Sequence, residues 1–249
     1  MLKGIHRTLA GKNATEKRME LVVHNIANAL TPGFKIARPL LAGRIKDEAV
    51  QPNDNQASVP ASQINYVDGS FLDTQIDFTE APLIESGSTL DLGIKGDGFF
   101  VVSVNGKNMY TRNGQFTLNN EKTLVTLDGS PVMGDGGAIT IDGKDIKIEN
   151  DGTIYIDKRV VDKIKVVTFE DKKGLKSFGK SLFTNTNPNS FETAPEKYSV
   201  KQGHYEASNV NIVKEMVEMM STLRAYESYS KVDGFFADMI SKLINIGRV

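Results

Sequence analysis

Residues 24–35 read HNIANALTPGFK, and how this stretch is read decides how the chain begins to fold. Upstream of it, Leu2, Ile5, Leu9, Met19, Val23, Ile26 and Leu30 recur at spacings of three and four. Lys12 and Glu16 fill the same phase as two polar interruptions. That is the period of an amphipathic helix. Thr31-Pro32-Gly33 ends it, because proline disfavours a helical residue before it and glycine supplies a left-handed turn. Asn25 and Asn28 are weak helix formers, since asparagine competes for its own backbone. Either they face solvent at a fraying end, or they hydrogen-bond across a helix–helix contact and fix its register.

The far end of the chain carries a second and longer pattern. Ile212, Met216, Met219, Leu223 and Tyr226 follow a four-three spacing, Tyr229 and Val232 shift the phase, and Phe236, Met239, Leu243 and Ile246 resume it. A second stripe of Val213, Val217, Met220, Phe235, Ile240 and Ile244 runs alongside. The spacing predicts a helix of about 37 residues, ~55 Å long, capped by Ser208 or Asn209. An isolated helix buries too little of two stripes to offset its ordering entropy, so a partner surface is needed. The N-terminal helix is one candidate, yet each end has more apolar face than one partner helix covers.

Between the ends, roughly residues 64–201 are β territory. Asx-Gly pairs recur at Asp68, Asp97, Asn105, Asn113, Asp128, Asp135, Asp142 and Asp151, separated by runs such as FFVVSV, TLVTL, TIYI and KIKVVTF. Such pairs between short β-branched runs signal hairpins, and their spacing suggests a mostly antiparallel sandwich or barrel-like region. The polar stretch 46–63, KDEAVQPNDNQASVPASQ, reads as a linker or long loop. The fold class expected is α+β. Long N- and C-terminal helices pair as a coiled-coil-like helical domain (1–35 with 205–249). An extended segment (36–63) then leads to a central, mostly antiparallel β domain (64–204).

Chemical signals are sparse. The 249 residues carry 30 Lys+Arg against 31 Asp+Glu, a net charge of −1, so no global field draws nucleic acid. Cysteine is absent, which excludes disulfides and thiolate chemistry. GIKGDG at 93–98 is not GxGxxG, and a strand-like FFVV follows it where a phosphate loop needs a helix. Asp128, Asp135, Asp142 and Asp151 lie outside any calcium-loop pattern. His6, His24 and His204 have no second ligand at metal spacing. No catalytic, cofactor-binding or metal residue is assigned. Nor is there a run long enough for a membrane helix, or an apolar core for a secretory signal. The expectation is a cytoplasmic chain, or one that leaves the cell without a cleavable signal.

Four motifs, in order, carry a family resemblance. NIANALTPGFK (25–35), LDLGIKGDGFFVV (90–102), YTRNGQFTLNNEKTLVTLDGSPVMG (110–134) and YEASNVNIVKEMVEMMSTLRAYE (205–227) resemble the signatures of the bacterial flagellar axial proteins of rod and hook. His24 stands where the pattern usually has Asn, Gly93 where Ala is usual, and Ala10-Gly11-Lys12 where a Ser-Gly pair is typical. The resemblance implies a non-enzymatic rod subunit, proximal in preference to distal or hook-type, without cofactor or small-molecule substrate. Its partners would be copies of itself, other rod proteins and the flagellar export apparatus, with no nucleic acid and no membrane insertion. Its place would be the basal body in the cell envelope.

The assembly interface expected on that basis comprises Ile5, Leu9, Met19, Val23 and Ile26 of the first helix. From the last helix it takes Ile212, Met216, Met219, Leu223, Tyr226, Phe236, Met239 and Leu243. Asn25, Asn28, Ser208 and Asn209 would set register and capping. A different class also fits the residues: a soluble β-domain binding module on an oligomerising helical stalk.

Overall fold

Two α-helices frame the chain: α1 spans Leu2–Ala27 and α2 spans Ile212–Ile246. The structure is a computed structural model describing residues 2–41, 71–143, 145–179 and 181–246. The linker expected over 46–63 and the Asp68-Gly69 turn lie outside the described residues. The chain divides into two compact units: residues 1–24, 38–74 and 213–249 in one, residues 25–37 and 75–212 in the other.

In the first unit α1 and α2 run antiparallel, with Gly11 against the Tyr229 ring, Lys12 beside Asp233 (3.7 Å) and Arg18 paired with Glu218. The residues this seam buries are Thr8, Thr15 and Val22 on α1, and Glu215 and Thr222 on α2. Two of its hydroxyls are satisfied within their own helices: Thr15 Oγ1 donates to Gly11 O (2.7 Å) and Thr222 Oγ1 to Glu218 O (2.8 Å).

This corrects the coiled-coil expectation. The helices do pack together, but along a seam of glycine, threonine and ion pairs rather than an apolar heptad seam. Much of the predicted stripes is left uncovered, with Leu9 and Val23 each 50% exposed, Met216 49% and Leu223 45%. Periodicity reports which face is apolar; it does not report that the covering partner lies in the same chain. The β region is mostly antiparallel, as expected, and among the described residues its strands fall into seven sheets.

In the second unit the largest sheet has five strands, in the order Val166–Val167, Phe99–Val104, Lys107–Thr111, Leu182–Asn185 and Leu175–Gly179. Its neighbours pair antiparallel. Phe99–Val104 is buried on both faces, which is why FFVV reads as an unbroken apolar run rather than an alternation. Phe100 and Val102 enter a core with Leu92, Ile94, Leu124, Ile139 and Ile154. Phe99 and Val101 enter another with Tyr110, Phe169, Leu175 and Phe183. The Asn105-Gly106 turn joins two of these strands with φ of 51° and 76°, the paired left-handed residues of a tight hairpin.

Three further pairings position the chain ends. Tyr198–Gln202 pairs antiparallel with Leu92–Gly96, and His204–Glu206 with Leu83–Glu85. Ala37–Leu41 pairs with Phe71–Ile76.

Candidate functional site

The segment that follows α1 and the segment that precedes α2 meet inside the β body. After Ala27 the chain turns through 28–33, and Gly33 takes φ +66° where a Cβ would lie 2.1 Å from the Asn113 nitrogen. Only glycine permits that approach. Gly33 N–H donates to the Glu206 carbonyl (2.7 Å), and Phe34 and Ile36 are buried. Phe34, just beyond the helix stop, packs within its own chain.

Between Phe34 and Ile36, Lys35 turns inward to a cluster of buried charges. Its side chain and that of Glu206 have no exposed surface, and Lys35 Nζ lies 2.6 Å from Glu206 Oε1. Arg112, 3% exposed, reaches Glu206 Oε2 at 3.3 Å. Backbone groups add further bonds: Lys35 donates to Thr79 O (2.7 Å), Ala81 N–H to Glu206 Oε1 (2.9 Å) and Arg112 Nη2 to Gly96 O (2.9 Å). Arg112 Nη2 also lies 3.8 Å from the Asp97 carboxylate, and Arg112 Nε is buried without a hydrogen-bond partner. The Arg112 guanidinium also lies 5.3 Å from the Phe99 ring centroid. Burial pulls the Lys35 ammonium below its ordinary range, opposed by the charge and hydrogen bond of Glu206.

Two asparagines fasten the same junction. Asn25 is buried, and its amide makes two bonds with Ala37: Nδ2 to the carbonyl (2.9 Å) and Ala37 N–H to Oδ1 (3.0 Å). It therefore holds its own chain together, which is neither the solvent-facing position nor the helix–helix contact that the residue types had left open. Asn209 Oδ1 accepts from Ile36 N–H (2.8 Å), and its Nδ2 donates to Asp77 O (2.8 Å). Neither expected cap starts the last helix: α2 begins at Ile212, Asn209 is committed to residues 36 and 77, and Ser208 Oγ accepts from Val210 N–H (3.3 Å). Asn28 Oδ1 accepts from Thr31 Oγ1 (3.3 Å) in the turn after α1.

The other expected interface residues fall on the helices. Leu9, Val23, Ile212, Met216, Leu223 and Met239 are exposed, while Met19, Ile26, Met219, Tyr226 and Phe236 are half-buried. Ile5 and Leu243 belong to α1 and α2, with side chains outside the described set. Val213, Val217, Met220 and Phe235 add to the exposed apolar surface of α2. GIKGDG runs from the strand Leu92–Gly96 into the turn before Phe99. There Asp97 accepts from Lys172 Nζ (2.6 Å) and Thr168 Oγ1 (2.8 Å).

Sequence reasoning missed Lys35, Arg112 and Glu206 as a group. The one available signal was position, since each lies in one of the motif segments.

Comparison with known proteins bears on the whole chain. Residues 93–156 match the family described as flagellar hook protein FlgE/F/G D1 domain, and residues 201–246 match flagellar basal body rod FlgEFG protein C-terminal. The flagellar basal-body rod protein FlgF of Caulobacter vibrioides is 34% identical over 232 residues, covering 90% of this chain and 89% of the relative. The flagellar basal-body rod protein FlgG of Bacillus subtilis is 29% identical over 265 residues, end to end in both chains. FlgG of Agrobacterium fabrum is 32% identical over 89% of this chain and 90% of the relative.

Helices at both chain ends with uncovered apolar faces, and a β body that clasps the adjoining segments, are the build of a structural subunit. The chain belongs to the flagellar basal-body rod protein family.

Proposed function

We propose that this chain is a structural subunit of the bacterial flagellar rod, joining copies of itself and neighbouring rod proteins through the apolar faces of α1 and α2. The observation that carries this reading is the uncovered surface of α2. Ile212, Val213, Met216, Val217, Met220 and Leu223 are all exposed within its first turns. A contiguous apolar face of this kind on a helix marks an interaction surface. Polymerised subunits would form a tube through which other components pass and along which torque is carried. The chain itself would reach that position through the flagellar export apparatus and act without catalysis.

Within the family we favour the proximal rod position. The 34% identity to a FlgF, against 29% and 32% to two FlgG proteins, supports it. The end-to-end match to Bacillus subtilis FlgG favours the distal position as the second reading. Basal bodies imaged from a strain lacking this chain separate the two: loss beginning at the proximal rod supports the first, loss confined to the distal rod the second.

The assembly reading is tested with Val217→Asp combined with Met220→Asp in the full chain. Both positions are exposed, so monomer stability should change by no more than about 0.5 kcal/mol. Concentration-dependent association in sedimentation, and restoration of motility in the deletion strain, should both be lost. A doubly substituted chain that still restores motility would overturn the reading.

A further inference from the structure

Lys35, Arg112 and Glu206 come from three distant parts of the chain: Glu206 is 171 residues from Lys35 and 94 from Arg112. Two cations share one carboxylate, and Glu206 and Lys35 are both fully buried. Until Glu206 arrives, closing the body would bury the Lys35 ammonium near the Arg112 guanidinium with only the part-exposed Asp97 carboxylate, 3.8 Å from Arg112, as a counter-charge, which disfavours closure.

The same C-terminal segment supplies more than the carboxylate. Tyr198–Gln202 sets Val200 opposite Ile94 in the core, His204–Glu206 closes onto Leu83–Glu85, and Asn209 holds Ile36 and Asp77. From the N-terminal side, Gly33 N–H and Lys35 both engage Glu206, and Asn25 holds Ala37.

We infer that Lys35, Arg112 and Glu206 form a completion latch. The β body locks only when the segment after α1 and the segment before α2 are both in place, and those segments open together or not at all. The latch is a conformational device: the folded body reports that both chain ends have been delivered.

Native-state hydrogen exchange on the full chain tests this, with peptides covering residues 25–37, 77–82 and 203–209. In the wild-type chain the three regions should exchange through one opening, with a common protection and a common urea dependence. Glu206→Gln removes the shared anion and should lower protection in all three by about a hundredfold. Lys35→Met should lower it less, because it leaves one cation with one anion. Lys35→Met added to Glu206→Gln should restore about tenfold of what Glu206→Gln alone loses, since it removes the buried ammonium that Glu206 had paired.

If Glu206→Gln does not fold, the single Lys35→Met chain decides: residues 77–82 and 203–209 must lose protection together with 25–37. Loss confined to 25–37, or a double variant no better than Glu206→Gln, overturns the latch.

Discussion

The side-chain amide of Asn25 lies against the backbone of Ala37 and makes two hydrogen bonds there, at 2.9 and 3.0 Å, as a neighbouring strand would. The pairing turns a poor helix residue into the fastening between the end of α1 and the first strand. Asn25→Ala leaves a buried N–H and a buried C=O without those partners. It should destabilise the chain by about 1–3 kcal/mol, read as a lower urea midpoint at unchanged slope. Asn25→Asp should do no better, because a carboxylate can accept from Ala37 N–H but repels the Ala37 carbonyl. An unchanged midpoint for Asn25→Ala would show the pairing to be dispensable.

A pair of glycines separates two ways in which this residue is needed. Gly33 and Gly106 have similar backbone angles, φ +66° and +76°. A Cβ on Gly33 would strike the Asn113 backbone at 2.1 Å, whereas a Cβ on Gly106 would meet nothing within 4 Å. Gly106→Ala should therefore cost about 1 kcal/mol for the left-handed conformation alone. Gly33→Ala adds an overpacking penalty and should cost about 2–4 kcal/mol. Thermal midpoints of the two variants side by side check the difference; equal losses would refute it.

What the sequence made legible was local. Thr31-Pro32-Gly33 announced that α1 stops nearby, at Ala27 and so a few residues sooner than the pattern through Leu30 implied. Asn105-Gly106 announced a hairpin, and the FFVV run announced a strand. Each is a short-range consequence of backbone sterics or burial. The hairpin at Asp157-Lys158 was not legible, because a lysine at φ 67° carries no turn signal of its own. The Lys35–Glu206 pair was invisible for a different reason. Nothing near either residue encodes a partner 171 positions away, and a charged residue is by default a solvated one. The helix seam misled in the opposite direction: Gly11, Thr15 and Thr222 look like interruptions in an apolar pattern, yet they are where the helices meet.

Stability should fall on acidification through particular carboxylates. Burial alone would raise the Asp97 carboxyl, but hydrogen bonds from Lys172 and Thr168 outweigh it and hold the group below its ordinary 3.8. Burial likewise opposes ionisation of Glu192, and Lys165, Tyr110 and Asn108 outweigh it, placing it below 4.5. Groups depressed in the folded state contribute stability above their unfolded values, and lose it as pH falls through their folded values. The urea midpoint set by these two groups should be level from neutral pH to about pH 5 and fall below about pH 4. Asp97→Asn should lower the midpoint at neutral pH and flatten the acid decline. A variant with the wild-type decline would assign that decline to other groups.

The closeness of the helix seam depends on Gly11, whose missing side chain admits the Tyr229 ring. A Cβ there would stand 2.7 Å from the ring carbons. On propensity alone, replacing a mid-helix glycine should favour α1: alanine exceeds glycine by about 1 kcal/mol, and leucine lies near alanine. Packing opposes this, and the two terms scale differently with side-chain size. For Gly11→Ala the obstacle is the far end of a tyrosine ring that is itself 37% exposed and can swing aside, so helical content should hold or rise. For Gly11→Leu the added carbons occupy the ring's own position. The Lys12–Asp233 and Lys12–Tyr226 contacts beside it should then be drawn apart. Hydrogen exchange of the α1 amides should accelerate about tenfold in Gly11→Leu, and adding Tyr229→Ala should reverse most of that. If Gly11→Leu protects α1 as well as or better than the parent, propensity outweighs the seam and the helices do not depend on close approach at this point.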